Sequence, residues 1–354
     1  VAPPLGNLVS GNNGDGIRID TGSAHNTMSG NFVGTTASGT VDLGNHGDGV
    51  AILQSDFNTL IGCKVVDNPF IYYNVVGGND GNGIRVTDSD HVTIHANFVG
   101  LGADNATVVG NSLDGILIDG SSRNTQVGGV IPLGNVVSGN VENGIEVAGT
   151  ASGFSTLNTF AGITAFFGIA PNGKNGMLIT STGGNQTVQT NVIAGNVENG
   201  LVIAGDAWGV TVVPNIVGLD TRGDAALPNG HDNFVGGTDL LANLSVMRQN
   251  SVSGNVGYGV EIAGNASNNV IADSAIGTNI QELAALANTA GGVLVSTTGT
   301  GNVVGSPQTG WTPLPSPAVS HNVISGNTGF GVTLAAGTNF NAVINNYIGL
   351  NILA

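Results

Sequence analysis

Titratable side chains are scarce in these 354 residues, with 7 Lys+Arg, 23 Asp+Glu and 6 His. The stretch where they crowd is therefore the first place to look for chemistry: Arg85, Asp88, Asp90, His91 and His95, with Asp80 before it and Asp104 after it. Asp88 and Asp90 are two apart in a turn-like segment, and carboxylate oxygens so placed can share a calcium ion, the one cofactor the sequence suggests. His91 and His95 have the spacing of a helical metal pair, but the residues around them read as extended, where four residues span about 13 Å. They cannot hold one ion together unless the chain bends. Asn229-Gly230-His231-Asp232 is a second, sparser candidate. No Ser/His/Asp arrangement, phosphate-binding glycine loop or Cys/His cluster is present.

The elements that must position these residues announce themselves by repetition. The pattern glycine, aliphatic, variable, aliphatic occurs at Gly16-Ile17-Arg18-Ile19, Gly49-Val50-Ala51-Ile52, Gly83-Ile84-Arg85-Val86, Gly115-Ile116-Leu117-Ile118, Gly144-Ile145-Glu146-Val147 and onward to Gly331-Val332-Thr333-Leu334. Each copy alternates as a strand with one buried face does. The Asp or Asn that often precedes the glycine (Asp15, Asp48, Asn82, Asp114) predicts a turn with positive φ at the glycine. Two further short strands fill each period, one beginning Asn-Thr (Asn26-Thr27, Asn58-Thr59) and one beginning Asn-apolar-apolar (Asn31-Phe32-Val33, Asn135-Val136-Val137). Three strands per period cannot bury a core alone, but stacked copies can. The expected fold is all-β: a single right-handed parallel β-helix over residues 1–354, with about eleven three-strand coils and a body about 50 Å long. Asparagines recurring at one phase of the coil should stack into ladders that satisfy otherwise buried turn groups. Coils of two kinds alternate. One turns quickly after the Asn-apolar strand, as at Ser138-Gly139-Asn140, and the other inserts a long loop (35–47, 101–113, 163–174, 219–231 and 278–290). These loops should line one flank.

Composition narrows the functions. Charged residues make up 8% and aromatics 5%, while glycine contributes 59 residues, so neither a large globular core nor a disordered polyelectrolyte fits. A net charge of −16 repels a phosphate backbone, which argues against nucleic acid as a partner. No apolar run reaches the roughly 18 residues of a membrane-spanning helix, and Val1-Ala2-Pro3-Pro4 lacks a signal-peptide layout. Cys63, the single cysteine, excludes an intramolecular disulfide and reads as a small buried hydrophobe.

The phrases Asn135-Val136-Val137-Ser138-Gly139-Asn140, Gly144-Ile145-Glu146-Val147 and Leu43-Gly44-Asn45-His46-Gly47-Asp48-Gly49-Val50 carry a resemblance along essentially the whole chain. It resembles the right-handed parallel β-helix repeat proteins of the pectate-lyase-like superfamily, and more narrowly the repeat arrays of large secreted or cell-surface bacterial proteins. The resemblance implies an extracellular or cell-surface location and polysaccharide as a partner. Catalytic members need carboxylates, or a calcium-binding acidic cluster with a basic residue, on adjacent coils; their recognisable motifs are not matched here residue by residue. The outward strand positions suggest a binding face instead, because Leu117, Leu178, Val202 and Leu294 stand where a solvated sheet should be polar. Both chain ends read as interior phases of the repeat, so copies of the same chain or further repeats are expected there. The leading expectation is a structural or surface β-solenoid that binds glycans or assembles head to tail. The alternative is a polyuronate lyase, epimerase or hydrolase acting near Asp88 to His95.

Overall fold

The computed structural model describes residues 6–61, 63–64, 71–130, 133–235, 245–306 and 321–350. Short strands of two to five residues form three long sheets, and no helix occurs among the described residues. Among the described residues the asparagine sheet has 12 strands, from Leu8–Val9 to Asn346–Ile348. The glycine sheet has 11, from Ile17–Ile19 to Phe330–Leu334, and the threonine sheet has 11, from Thr27–Ser29 to Ala342–Ile344. Successive strands of the chain visit the three sheets in turn, and each pairs in parallel with the equivalent strand one coil away, as Ile84 with Ile116 and Ile116 with Ile145. This is the expected parallel β-helix, right-handed in the sense that strand twist imposes on parallel crossovers. An antiparallel pair, Cys63–Lys64 with Ile71–Tyr72, stands apart from the coils. The side chain of Cys63 and the proline-rich segment with Trp311 lie outside what the structure describes.

The alternation reads out as predicted. Ile84, Val86, Ile116, Ile118, Ile145 and Val147 are inward and at most 1% exposed, and with Met28, Leu60, Ile94 and Val33 they form one core running the length of the body. Between these columns runs an unbroken asparagine ladder. From Asn12 through Asn45, Asn79, Asn111, Asn140, Asn172, Asn196, Asn229, Asn255 and Asn288 to Asn327, each amide nitrogen donates to the next coil's Oδ1 at 2.7–3.2 Å. Each asparagine thus pairs turn groups that stacking would bury.

One expectation fails. The glycine that opens each glycine-sheet strand does not adopt positive φ, since Gly16, Gly49, Gly83, Gly115 and Gly144 are absent from the left-handed set. The cause is space. A Cβ on Gly83 would lie 2.6 Å from Val99 Cγ1 and 2.7 Å from both Asn111 Nδ2 and the Gly115 oxygen. The strand can start there only because nothing stands between it and the ladder. The left-handed residues are elsewhere, as at Gly100 and Gly139, which end asparagine-sheet strands.

The long loops do line one flank. Each is a small antiparallel hairpin (Thr35 with Asp42, Leu101 with Val108, Ile163 with Ile169, Leu219 with Ala226, Thr278 with Ala285). They fold over the outer face of the asparagine sheet, where Phe32, Val75, Phe98 and Val136 are buried with Leu101 and Ala170 in a second apolar layer. The returning arm of each loop accepts a backbone hydrogen bond from the quick-turn glycine of the preceding coil: Gly11 to Leu43, Gly78 to Val109, Gly139 to Ala170, Gly195 to Leu227 and Gly254 to Leu286, at 2.9–3.1 Å. The flank is closed by these loops. The glycine and threonine sheets keep their outer faces.

Candidate functional site

The titratable residues of the Arg85 to His95 stretch do not converge on one point. Arg85 projects from the glycine sheet, where its Nε donates to Thr87 Oγ1 at 2.9 Å and its guanidinium pairs with Asp119 of the next coil at 3.2 Å. Asp88 sits exposed in the following turn with φ 51°, and its Oδ1 accepts from Ser121 N at 2.8 Å and Ser121 Oγ at 3.0 Å. The Asp90 backbone N–H donates to Asp56 Oδ1 at 2.8 Å. His91 stacks on Phe57 at 4.8 Å, Phe57 stacks on His25 at 5.1 Å, and His91 Nε2 meets Asn124 Nδ2 at 3.3 Å. His95 lies on the threonine sheet; burial holds its pKa below the usual imidazole value, and its Nε2 has no hydrogen-bond partner. Among the described residues, no three or more His, Cys, Asp or Glu side chains group closely enough to hold a metal ion. Asn229 is a rung of the buried ladder, and Asp232 accepts from the Tyr258 backbone N–H.

On the glycine sheet, Leu117, Leu178 and Leu294 are half-buried and Val202 is buried, 9% exposed. Between Leu117 and Leu178, in register with both, stands Glu146. It meets Asp114 of the preceding coil through Asn143. The Asn143 Nδ2 donates to Asp114 Oδ1 at 3.0 Å and to Glu146 Oε2 at 3.0 Å, so the two carboxyl oxygens lie no farther apart than twice that distance. Burial, then the neighbouring Asp114 charge, pushes Glu146 up to about 7. Burial likewise raises Asp114, which is 7% exposed. Glu142 and Lys174 form an ion pair beside them. The outward position of Glu146 was visible in the repeat; its pairing with Asp114 was not.

The threonine sheet carries the feature the sequence reading passed over. Thr27, Thr59, Thr93, Gln126, Ser155, Thr187 and Thr211 are consecutive cross-strand partners on seven coils. All point outward, since Met28, Leu60, Ile94, Val127, Thr156, Val188 and Val212 beside them are buried. Strand spacing sets the rungs about 4.8 Å apart. The hydroxyls of the six Thr and Ser have no protein partner among the described residues, and the amide of Gln126 donates to the Gly128 carbonyl at 3.2 Å. Only Thr27 and Thr59 of the row follow an Asn, so the Asn-Thr start marks no more than its beginning.

No family model and no curated protein matches the sequence. Among solved structures, the chain is similar to a double mutant of the periplasmic alginate epimerase AlgG, with 13% identity over 93% of this chain and 70% of that one and a TM-score of 0.51. It is also similar to the A-module of the Azotobacter vinelandii mannuronan C-5 epimerase AlgE4, at 15% identity over 96% and 87% of the two chains and a TM-score of 0.45. A third is PfbA, a surface adhesin of Streptococcus pneumoniae, at 11% identity over 93% and 76% and a TM-score of 0.31. At these identities the likeness is one of fold, a parallel β-helix.

Proposed function

We propose that this protein is an extracellular or cell-surface β-helix that holds a neutral, hydroxyl-rich polysaccharide along the threonine sheet without transforming it. The observation that carries this reading is the row of six hydroxyls in register from Thr27 to Thr211, none with a protein partner among the described residues. A hydroxyl is both donor and acceptor, so such a row can exchange bonds with a polyhydroxylated chain in either sense. The net charge of −16 disfavours a polyanion over an uncharged polymer. The fold likeness to a periplasmic alginate epimerase accords with a polysaccharide ligand outside the cytoplasm. Affinity electrophoresis through gels containing neutral glucans tests it, with a Thr59→Val, Thr93→Val, Thr187→Val variant as comparison. The parent should be retarded and the variant should not; equal mobility of the two, or no retardation of the parent by any neutral glucan, overturns the reading.

The enzymatic reading moves from the Asp88 to His95 stretch to Asp114 and Glu146, which have the paired carboxyls that glycan-cleaving sites use. Its readout is new reducing or unsaturated ends released from a polysaccharide panel, abolished by Glu146→Gln. No turnover on neutral or uronate polymers sinks it.

A further inference from the structure

Two carboxyl pairs on the glycine sheet share one arrangement: an Asp accepts the backbone N–H three residues before a Glu on the next coil. In the first, Asp114 precedes a glycine-sheet strand, accepts the backbone N–H of Asn143 at 2.9 Å, and lies beside Glu146, three residues after Asn143. In the second, Asp232 accepts the backbone N–H of Tyr258 and lies beside Glu261, three residues after Tyr258. Asp232 opens its strand one residue closer in than Asp114, because Asn233 takes the register of Ile116 with no glycine before it. Glu146 stands in register between Leu117 and Leu178, and Glu261 stands in register beside Leu294. Each pair therefore sets two like charges on successive coils, partly out of water, where both cannot ionise cheaply.

We propose that the Asp114–Glu146 and Asp232–Glu261 pairs are proton-held clamps, each closing the junction between two coils with one shared proton and loosening it when that proton leaves. The proposal is independent of any ligand. Around the first pair the facing charged groups are Glu142 and Lys174, joined as an ion pair, with Glu198 beside Lys174; Lys174 pulls Glu146 down, but burial and Asp114 outweigh it. Around the second, Ser296 Oγ donates to Glu261 Oε1 at 2.7 Å, and Asp232 is the charge that faces it. Both Glu residues titrate above their usual value because of burial first and the neighbouring Asp second for Glu146, and burial with Asp232 for Glu261. The sign follows. A carboxyl whose folded value is raised stabilises the fold at low pH and loses that contribution as pH climbs from the ordinary 4.5 through the folded value, about 7 for Glu146.

The test compares the parent with Glu146→Gln, Glu261→Gln and the double variant, since Gln supplies permanently the donor that the shared proton supplies conditionally. Melting temperature is followed from about pH 5 to about pH 9, histidine titration being common to all four proteins. The parent should lose melting temperature through neutrality, and the double variant should lose less than half as much, with each single variant between them. Parallel curves for parent and double variant overturn the proposal. Infrared difference spectra of the parent give a second readout that needs no variant: a protonated-carboxyl band should persist at neutral pH and vanish on alkalinisation. A parent with no such band at neutral pH also refutes it.

Discussion

Asn111→Leu removes one rung from the middle of the buried ladder. Asn111 is 0% exposed; its Oδ1 accepts from Asn79 N at 3.2 Å and Asn79 Nδ2 at 2.8 Å, and its Nδ2 donates to Val76 O at 3.2 Å and Asn140 Oδ1 at 2.9 Å. The acceptors suffer least. Val76 O keeps the Gly100 N–H at 2.9 Å, and Asn140 Oδ1 keeps the Asn111 backbone N–H at 3.4 Å. The loss falls on Asn79, whose backbone N–H and one amide hydrogen are left buried without an acceptor. At about 1–3 kcal/mol for each unsatisfied group, the cost is about 2–6 kcal/mol. Leucine adds branched bulk against Gly83, so the upper half of that range is expected. Asn12→Leu is the control: Asn12 donates to Asn45 at 2.7 Å but is exposed, and water replaces what it loses, so it should cost less than about 1 kcal/mol. Urea unfolding followed by circular dichroism reads both variants. If Asn111→Leu unfolds within about 0.5 kcal/mol of the parent, the ladder is not what satisfies the turns, and the reasoning is wrong.

Gly83→Ala should destabilise although its φ is accessible to alanine, because the new methyl would meet Val99, Asn111 and the Gly115 oxygen at 2.6–2.7 Å. Gly14→Ala, with nothing within 4 Å of the added carbon, should be near neutral in the same thermal melts, and equal effects at both positions would count against the steric account. Calcium should raise the melting temperature only modestly, through general relief of the −16 charge. A large rise at micromolar calcium would restore the Asp88 and Asp90 site.

The fold was legible because its cause is local and repeated. Ile116 and Ile118 must point one way and Leu117 the other in any strand, and the same statement recurs every coil until only stacking can satisfy it. What stayed hidden depended on which phases of neighbouring coils touch. Gly83 was assigned a conformational role because Asn82 precedes it, whereas its reason lies in Asn111, 28 positions on and in a different turn. Glu146 meets Asp114 across 32 residues, and Phe57 joins His91 across 34. No local pattern marks such pairs. The Asn-Thr starts mark only Thr27 and Thr59 of the threonine row, and its meaning required knowing that Thr59 faces out while Leu60, beside it, faces in.

The bond from each quick-turn glycine to the returning arm of the next coil's loop ties the two kinds of coil into a unit. A hairpin is two strands wide, about 9.6 Å at the usual spacing, and two coils rise by the same amount. One loop therefore roofs two coils, and the roof is tiled without gap or overlap only when long and short coils strictly alternate. Adding or deleting a single coil would crowd two loops into the height of one or leave the apolar face beneath bare. Such a body can change length only in steps of two coils, so its size is quantised by its cladding rather than by its core.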